Sequence, residues 1–278
     1  MQKINSSGFG RNNFARRSLL AASRLSYLVL LAVGWLLLDG CAEPKVGCLH
    51  IAATNFAADA DDPCEDCCTF PNLEIQLLHQ IARSGELVNL RYDSTYTING
   101  TAIRIKDIRY ILSDFELIRA DGTTATVLDQ IVFRVPNSPG DTTSITRAND
   151  FIIVNANNFQ SLPIANYRES GNFVGIRFKI GVSEPANRVN PTSLTADHPL
   201  RADSLFLGPN SGYVFNQFSF IRDTTTTAPC EVVKISGASN IQTVQLDTAF
   251  TAQESFNIQI AVAVDYTQWL KNVAQKYS

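Results

Sequence analysis

Few residues of this 278-residue chain are equipped for metal or redox chemistry. There are three histidines, His50, His79 and His198, and six cysteines, Cys41, Cys48, Cys64, Cys67, Cys68 and Cys230. The only methionine is the initiator. A Met-rich soft-metal site is therefore excluded, and a histidine-built centre must draw on nearly every histidine. Cys64-Glu65-Asp66-Cys67-Cys68 contains a CxxC, with Cys48-Leu49-His50 upstream. The second half of a zinc pattern is missing. With Cys41 set aside, two disulfides and one leftover thiol are the simplest partition in an oxidising compartment. Spacing does not choose the connectivity, and a metal cluster at the CxxC is the alternative. The expected structural role is to staple the segment around 42–70 to itself and, through Cys230, to the body.

A second set of donors is made of hard oxygens. Ser183, Glu184, Asn187, Asn190, Asp197 and Asp203 fall in one long segment and suit calcium by ligand type. Their spacing matches no EF-hand loop, and the same composition describes ordinary polar turns. Enzyme signatures are absent: no Gly-rich phosphate loop, no GxSxG elbow and no HExxH occurs. Asp61-Asp62 and Glu65-Asp66 read as solvated surface. The chain is expected to be non-enzymatic.

The elements that position these residues begin with an address. Lys3, Arg11, Arg16, Arg17 and Arg24 precede the twelve-residue apolar run Tyr27 to Leu38. A helix of that length rises about 18 Å, short of the roughly 30 Å hydrocarbon core. It fits the h-region of a secretory signal. The run ends in Leu38-Asp39-Gly40-Cys41, which resembles a bacterial lipobox, with Asp39 departing from the usual small or apolar residue. The expectation is a signal peptide over 1–40, a lipidated Cys41 and a membrane anchor in the cell envelope. The outer membrane, facing the periplasm or the surface, is the expected place, with an envelope protein as a candidate partner. Without residues 1–40 the formal charge falls from -3 to -7, because five basic residues and one acidic residue leave. That argues against a partner recognised through its phosphates, nucleic acid included.

Residues 41–71 read as a tether and Cys-rich lead-in without a period. From Leu73 onward the pattern becomes short β-rich runs. They cover 73–77, 87–92, 101–105, 108–118, 126–128, 131–135, 151–154, 173–180, 213–221, 232–235, 243–246 and 256–264. Asn99-Gly100, Asp121-Gly122 and Pro136-Asn137-Ser138-Pro139-Gly140 mark turns between them. Many short strands with almost no helical period predict an all-β, β-sandwich-like single domain over 72–278. One short C-terminal helix is predicted, capped by Asp265, with Trp269 as its packing anchor. The stretch between Ile180 and Tyr213 has little strand pattern. Long irregular segments inside compact domains are often functional, so a site is expected there first.

Several segments, in order, resemble the MbnP-like domain family of exported proteins. They are Leu73-Glu74-Ile75-Gln76-Leu77-Leu78-His79, then Ile108 to Leu117 with Asp121-Gly122 after it. Next come Phe178-Lys179-Ile180-Gly181-Val182 with Asn187, then Asn210-Ser211-Gly212-Tyr213-Val214-Phe215, and finally Ile258 to Asp265. The resemblance spans roughly Leu73 to Val273. It implies a single β-sandwich-like domain and, in some members, one copper ion held by histidine and an oxidised tryptophan. Leu207 and Pro209 stand where the resemblance implies two tryptophans. His79 stands at the matching strand end and is the implied copper ligand. His198 and Asp197 complete the candidate metal set.

Overall fold

The structure is a computed structural model that describes residues 43–138, 140–222 and 229–276. The signal segment, Cys41 and the run 224–227 lie outside the described residues. Residues from Val46 on form one compact unit. No helix among the described residues is long and apolar enough to cross a membrane.

The strands run in chain order as β1 (Val46–Gly47), β2 (Asp62–Pro63), β3 (Asn72–Arg83), β4 (Glu86–Asn89), β5 (Thr95–Ile98) and β6 (Thr101–Ile118). They continue as β7 (Thr124–Thr126), β8 (Gln130–Ser138), β9 (Asp141–Ala148), β10 (Ile152–Asn155), β11 (Ser161–Asn166) and β12 (Gly171–Phe173). The last are β13 (Gly175–Ile180), β14 (Val214–Ile221), β15 (Glu231–Ser236), β16 (Gln242–Leu246), β17 (Phe250–Ala252) and β18 (Ile258–Asp265), followed by a helix at Tyr266–Lys276. The all-β sandwich with one C-terminal helix is what the sequence predicts.

β6 is the spine of the larger sheet. One edge of it carries β14 and then β13, and the other carries β5, β10 and β7. The smaller sheet is β11-β3-β18 with β4 added to β3, and β18 lies parallel to β3. Inward residues of both sheets share one core, including Ile75 and Leu77 from β3, Ile105 and Ile108 from β6, and Phe218 from β14. Burying each such side chain fully contributes about 1.5–3 kcal/mol. A second core lies under the 181–213 excursion, with Ile111, Phe133, Val189, Leu200, Tyr213 and Phe215. β14 is therefore covered on both faces, and all eight of its residues are buried.

Bulges account for the differences from the sequence pattern. The runs 101–105 and 108–118 are one strand, because pairing with β14 slips between Ser219 and Phe220 and leaves an extra residue near Lys106. A second slip between Arg177 and Lys179 sits opposite Asp114, whose φ is 55°. The run 173–180 breaks at Val174, since β12 joins β17 whereas β13 joins β6. The strand opening at Leu73 does not end at His79 but continues to Arg83, so His79 holds an inward position within it. β5, β9, β11 and β17 went unseen in the pattern, as did the two-residue β1 and β2. β9 is exposed over Asp141–Ser144, and apolar alternation is the wrong signal for such a ribbon.

The lead-in docks on the domain. The Pro71 carbonyl accepts from the Tyr167 amide at 2.6 Å, and the Ser255 hydroxyl donates to the Ile51 carbonyl at 2.8 Å. One disulfide, Cys48–Cys68, staples the segment to itself. The expected staple through Cys230 is absent: Cys230 is a free, exposed thiol, and hydrogen bonds hold the lead-in to the body instead.

Candidate functional site

The excursion between Ile180 and Val214 leaves and returns at the middle of β6, since Ile180 pairs with Leu112 and Asn216 with Tyr110. It is built from short 3-10 turns, at Ala186–Arg188, Pro191–Ser193, Pro199–Arg201 and Asp203–Leu205. Tyr213 latches it. The Tyr213 hydroxyl lies 3.0 Å from the Val189 carbonyl and 2.9 Å from the Leu200 carbonyl, and it shares its proton between them. The Tyr213 amide donates to Asn187 Oδ1 at 2.8 Å. Asn187, one of the oxygens suggested for calcium, and the Asn210-to-Tyr213 tract close the base of this loop.

His198 serves the same excursion. It caps the turn at Pro199–Arg201 by accepting the Leu200 amide on Nδ1 at 3.1 Å, and its Nε2 donates to Asn149 Oδ1 at 3.0 Å. Burial pushes the imidazole below its ordinary pKa, with Asp197 pulling the other way. Asp197 is exposed, and a hydrogen bond from Thr195 holds its carboxyl below the usual range.

His79 sits elsewhere, fully buried between β3 and the C-terminal helix. Its Nε2 donates to the Asn158 carbonyl at 2.9 Å. A carbonyl only accepts, so Nδ1 is left to accept from the Tyr266 hydroxyl at 2.8 Å. Tyr110 extends the chain, its hydroxyl 3.1 Å from that of Tyr266. Burial lowers the His79 pKa against the opposing Asn158 carbonyl, which favours the neutral ring. Trp269 anchors the helix over this cluster, with ring centroids 5.2 Å from Tyr110 and 5.5 Å from Tyr266. The helix starts as predicted, with Asp265 accepting the Thr267 amide at 2.9 Å.

His79 and His198 share no hydrogen-bonding or ring partner. Among the described residues no three His, Cys, Asp or Glu side chains converge to hold a metal ion. Several of the oxygens suggested for calcium have other partners. Ser183 donates to Asp114 at 2.7 Å, Glu184 pairs with Arg188 at 3.0 Å, and Asn190 caps its turn by accepting from the Thr192 amide at 3.0 Å.

One cluster was missed in the sequence. At the β6 bulge, Asp114 pairs with Arg147 and with Lys179 at 2.9 Å, and it accepts from Ser183. Burial opposes its charge, but Ser183, Lys179 and Arg147 outweigh burial and hold the carboxyl below its ordinary range. Beside it, Asp150 is 1% exposed; one oxygen accepts the Phe115 amide at 2.6 Å and the other has no partner. Asp114, Asp150, Arg177 and Lys179 line a cleft of about 510 Å³. The available signal was Ser113-Asp114 interrupting the apolar pattern of Ile108 to Leu117, the mark of a bulge.

Burial pushes the Asp150 carboxyl up to about 6 from 3.8, with the Phe115 amide pulling it back. A carboxyl whose folded pKa is raised stabilises the fold through its protonated form. Below pH 3.8 both states hold the proton; between there and about 6 the unfolded chain ionises first. Stability from this group therefore falls as pH rises through that window. Asp150→Asn is expected to remove the decline and to exceed the parent by about 2–3 kcal/mol above pH 7. His79 and His198, with lowered pKa values, contribute the opposite slope to both proteins. Urea midpoints of parent and variant from pH 4 to pH 8 check this. Parallel curves would refute it.

No curated protein matches the chain. Among solved structures, MbnP from Methylosinus trichosporium is similar at 13% identity and a TM-score of 0.40, over 72% of this chain and 77% of that one. A likeness at that level carries no argument about the site. The family's sequence model covers residues 71–277, and on that ground the chain belongs to the MbnP family.

Proposed function

We propose that the chain is an exported, lipid-anchored and non-enzymatic binding protein of the cell envelope, and that its MbnP domain handles copper through His79. The leader, with its short apolar run and Cys41, supports export and anchoring. The observation that carries the copper reading is the buried His79 ring, whose surroundings favour its neutral form. Its Nδ1 lone pair is held by the Tyr266 hydroxyl, which rotates, whereas Nε2 is fixed to backbone. Neutral imidazole is the form that ligates copper. The residues fit one ligand of a copper centre, not a complete set among the described residues. Copper bound there would supply a soft cation that ligands other than water can hold.

A second reading, a copper-free scaffold for another ligand or a protein partner, is favoured by a separate observation. All four ring nitrogens of His79 and His198 already carry hydrogen bonds.

Titration with Cu(I) and Cu(II) decides between the two. The full chain is expected to bind with sub-micromolar affinity. Tyr266→Phe, which frees Nδ1, should bind more tightly, and His79→Gln, which keeps a hydrogen-bonding tip, at least tenfold more weakly. Equal affinity in all three proteins, or none below the micromolar range, removes copper and leaves the scaffold reading.

A further inference from the structure

The lead-in brings Cys48, Cys64, Cys67 and Cys68 into one short stretch. Cys48 and Cys68 are bridged, with Cys48 1% exposed. Cys64 is partly buried, Cys67 is exposed, and both are free thiols. Residues Glu65–Cys67 form a single 3-10 turn. In such a turn, side chains three residues apart eclipse one another. Cys64, just before the turn, and Cys67, at its end, therefore fall on one side. The bonds agree: Cys67 Sγ lies 3.2 Å from the Cys64 carbonyl oxygen, and Cys68 Sγ lies 3.5 Å from the same atom. A hydrogen bond with the Cys64 thiol is also the main cause raising the Cys67 pKa. Cys64 lines a cleft of about 440 Å³ with His50, Cys68, Phe70 and Arg168, open to a small oxidant.

We propose that Cys64 and Cys67 close into a second, reversible disulfide, a redox-responsive site beside the structural Cys48–Cys68 bridge. The oxidant is a disulfide compound. The Cys67 thiolate attacks one of its sulfurs and displaces a thiolate. The Cys64 thiolate then attacks the Cys67 sulfur and displaces the second. The protein loses two electrons as one S–S bond forms, the oxidant gains them as its own S–S bond breaks, and the two thiol protons end on the released thiols. Two features make this bridge the first to reopen. Cys67 is exposed to the attacking reductant, whereas Cys48 is not. A CxxC bridge also closes a far shorter loop than one spanning a sequence separation of 20, so it constrains the unfolded chain less.

The test is thiol mapping of the full chain in detergent by alkylation and non-reducing peptide mass analysis. Oxidised glutathione should protect Cys64 and Cys67 together and yield one linked peptide without a glutathione adduct. Graded dithiothreitol should release that pair before Cys48–Cys68. Cys64→Ser, which removes the resolving thiol, should trap glutathione on Cys67 while the Cys48–Cys68 peptide persists, which shows the variant is folded. Stable adducts on both thiols of the parent, linkage of either to Cys230, protection that a chelator abolishes, or two thiols that stay alkylatable would overturn the proposal.

Discussion

Gly212→Ala is expected to destabilise the domain by about 2–4 kcal/mol, the sum of strain at a left-handed position and overpacking. Gly212 has φ 68°, and a Cβ there meets the Asn187 side chain at 2.3–2.4 Å. Asn187 cannot retreat cheaply. Its Oδ1 holds the buried Tyr213 amide, and an unpaired buried amide costs a further 1–3 kcal/mol, roughly. The effect should spread through the excursion, since Tyr213 bonds both the Val189 and Leu200 carbonyls. The melting temperature should fall by roughly 2–4 °C per kcal/mol in a domain of this size. Gly208→Ala is the control: its φ of 107° is also left-handed, but an added Cβ there meets nothing within 4 Å. Equal losses in the two variants would mean that backbone strain, and not the clash with Asn187, governs the position.

His79→Ala should cost about 3–5 kcal/mol, more than most single substitutions. Three losses coincide. A buried ring leaves a cavity, the Tyr266 hydroxyl loses one of its two partners, and the Asn158 carbonyl loses its donor. The helix should loosen with it, because Tyr266 opens the helix and touches Trp269. Tryptophan emission is therefore expected to shift to the red before global unfolding. Tyr266→Phe keeps every ring but leaves the buried His79 Nδ1 without its partner, so it should cost about 1–3 kcal/mol, less than His79→Ala. A His79→Ala variant within about 0.5 kcal/mol of the parent would show the site to be solvated and the buried network not to form. The size of this effect is also why a smaller change at His79 is needed for any copper measurement.

The strand content, the turns, the closing helix with its Asp265 cap and the packing role of Trp269 were legible in the sequence. Each depends on neighbours close along the chain: alternation, turn residues, a cap beside its amide. Family membership was legible too, because the ordered segments from Leu73 onward are local patterns. What the sequence could not decide was partnership. Asn187 looks like a calcium donor, and Tyr213 like one residue of a family segment, until the fold brings them together as a latch across a loop. Asp114 looks like a surface residue in a strand until a bulge turns it toward Arg147 and Lys179, and Asp150 shows no sign of burial in its own neighbourhood.

The histidines divide along the same line. Composition alone fixed that any imidazole-built site must use nearly all of three side chains. Only the packing of β3 against the helix determined that His79 is a buried core residue with a partner on each ring nitrogen. Only the excursion's turns made His198 a cap. Residue type and spacing set what chemistry a group can do, since these are properties of the group and its covalent neighbours. Which chemistry it is left free to do depends on burial and on hydrogen-bond partners many residues away, and those exist only once the chain has folded.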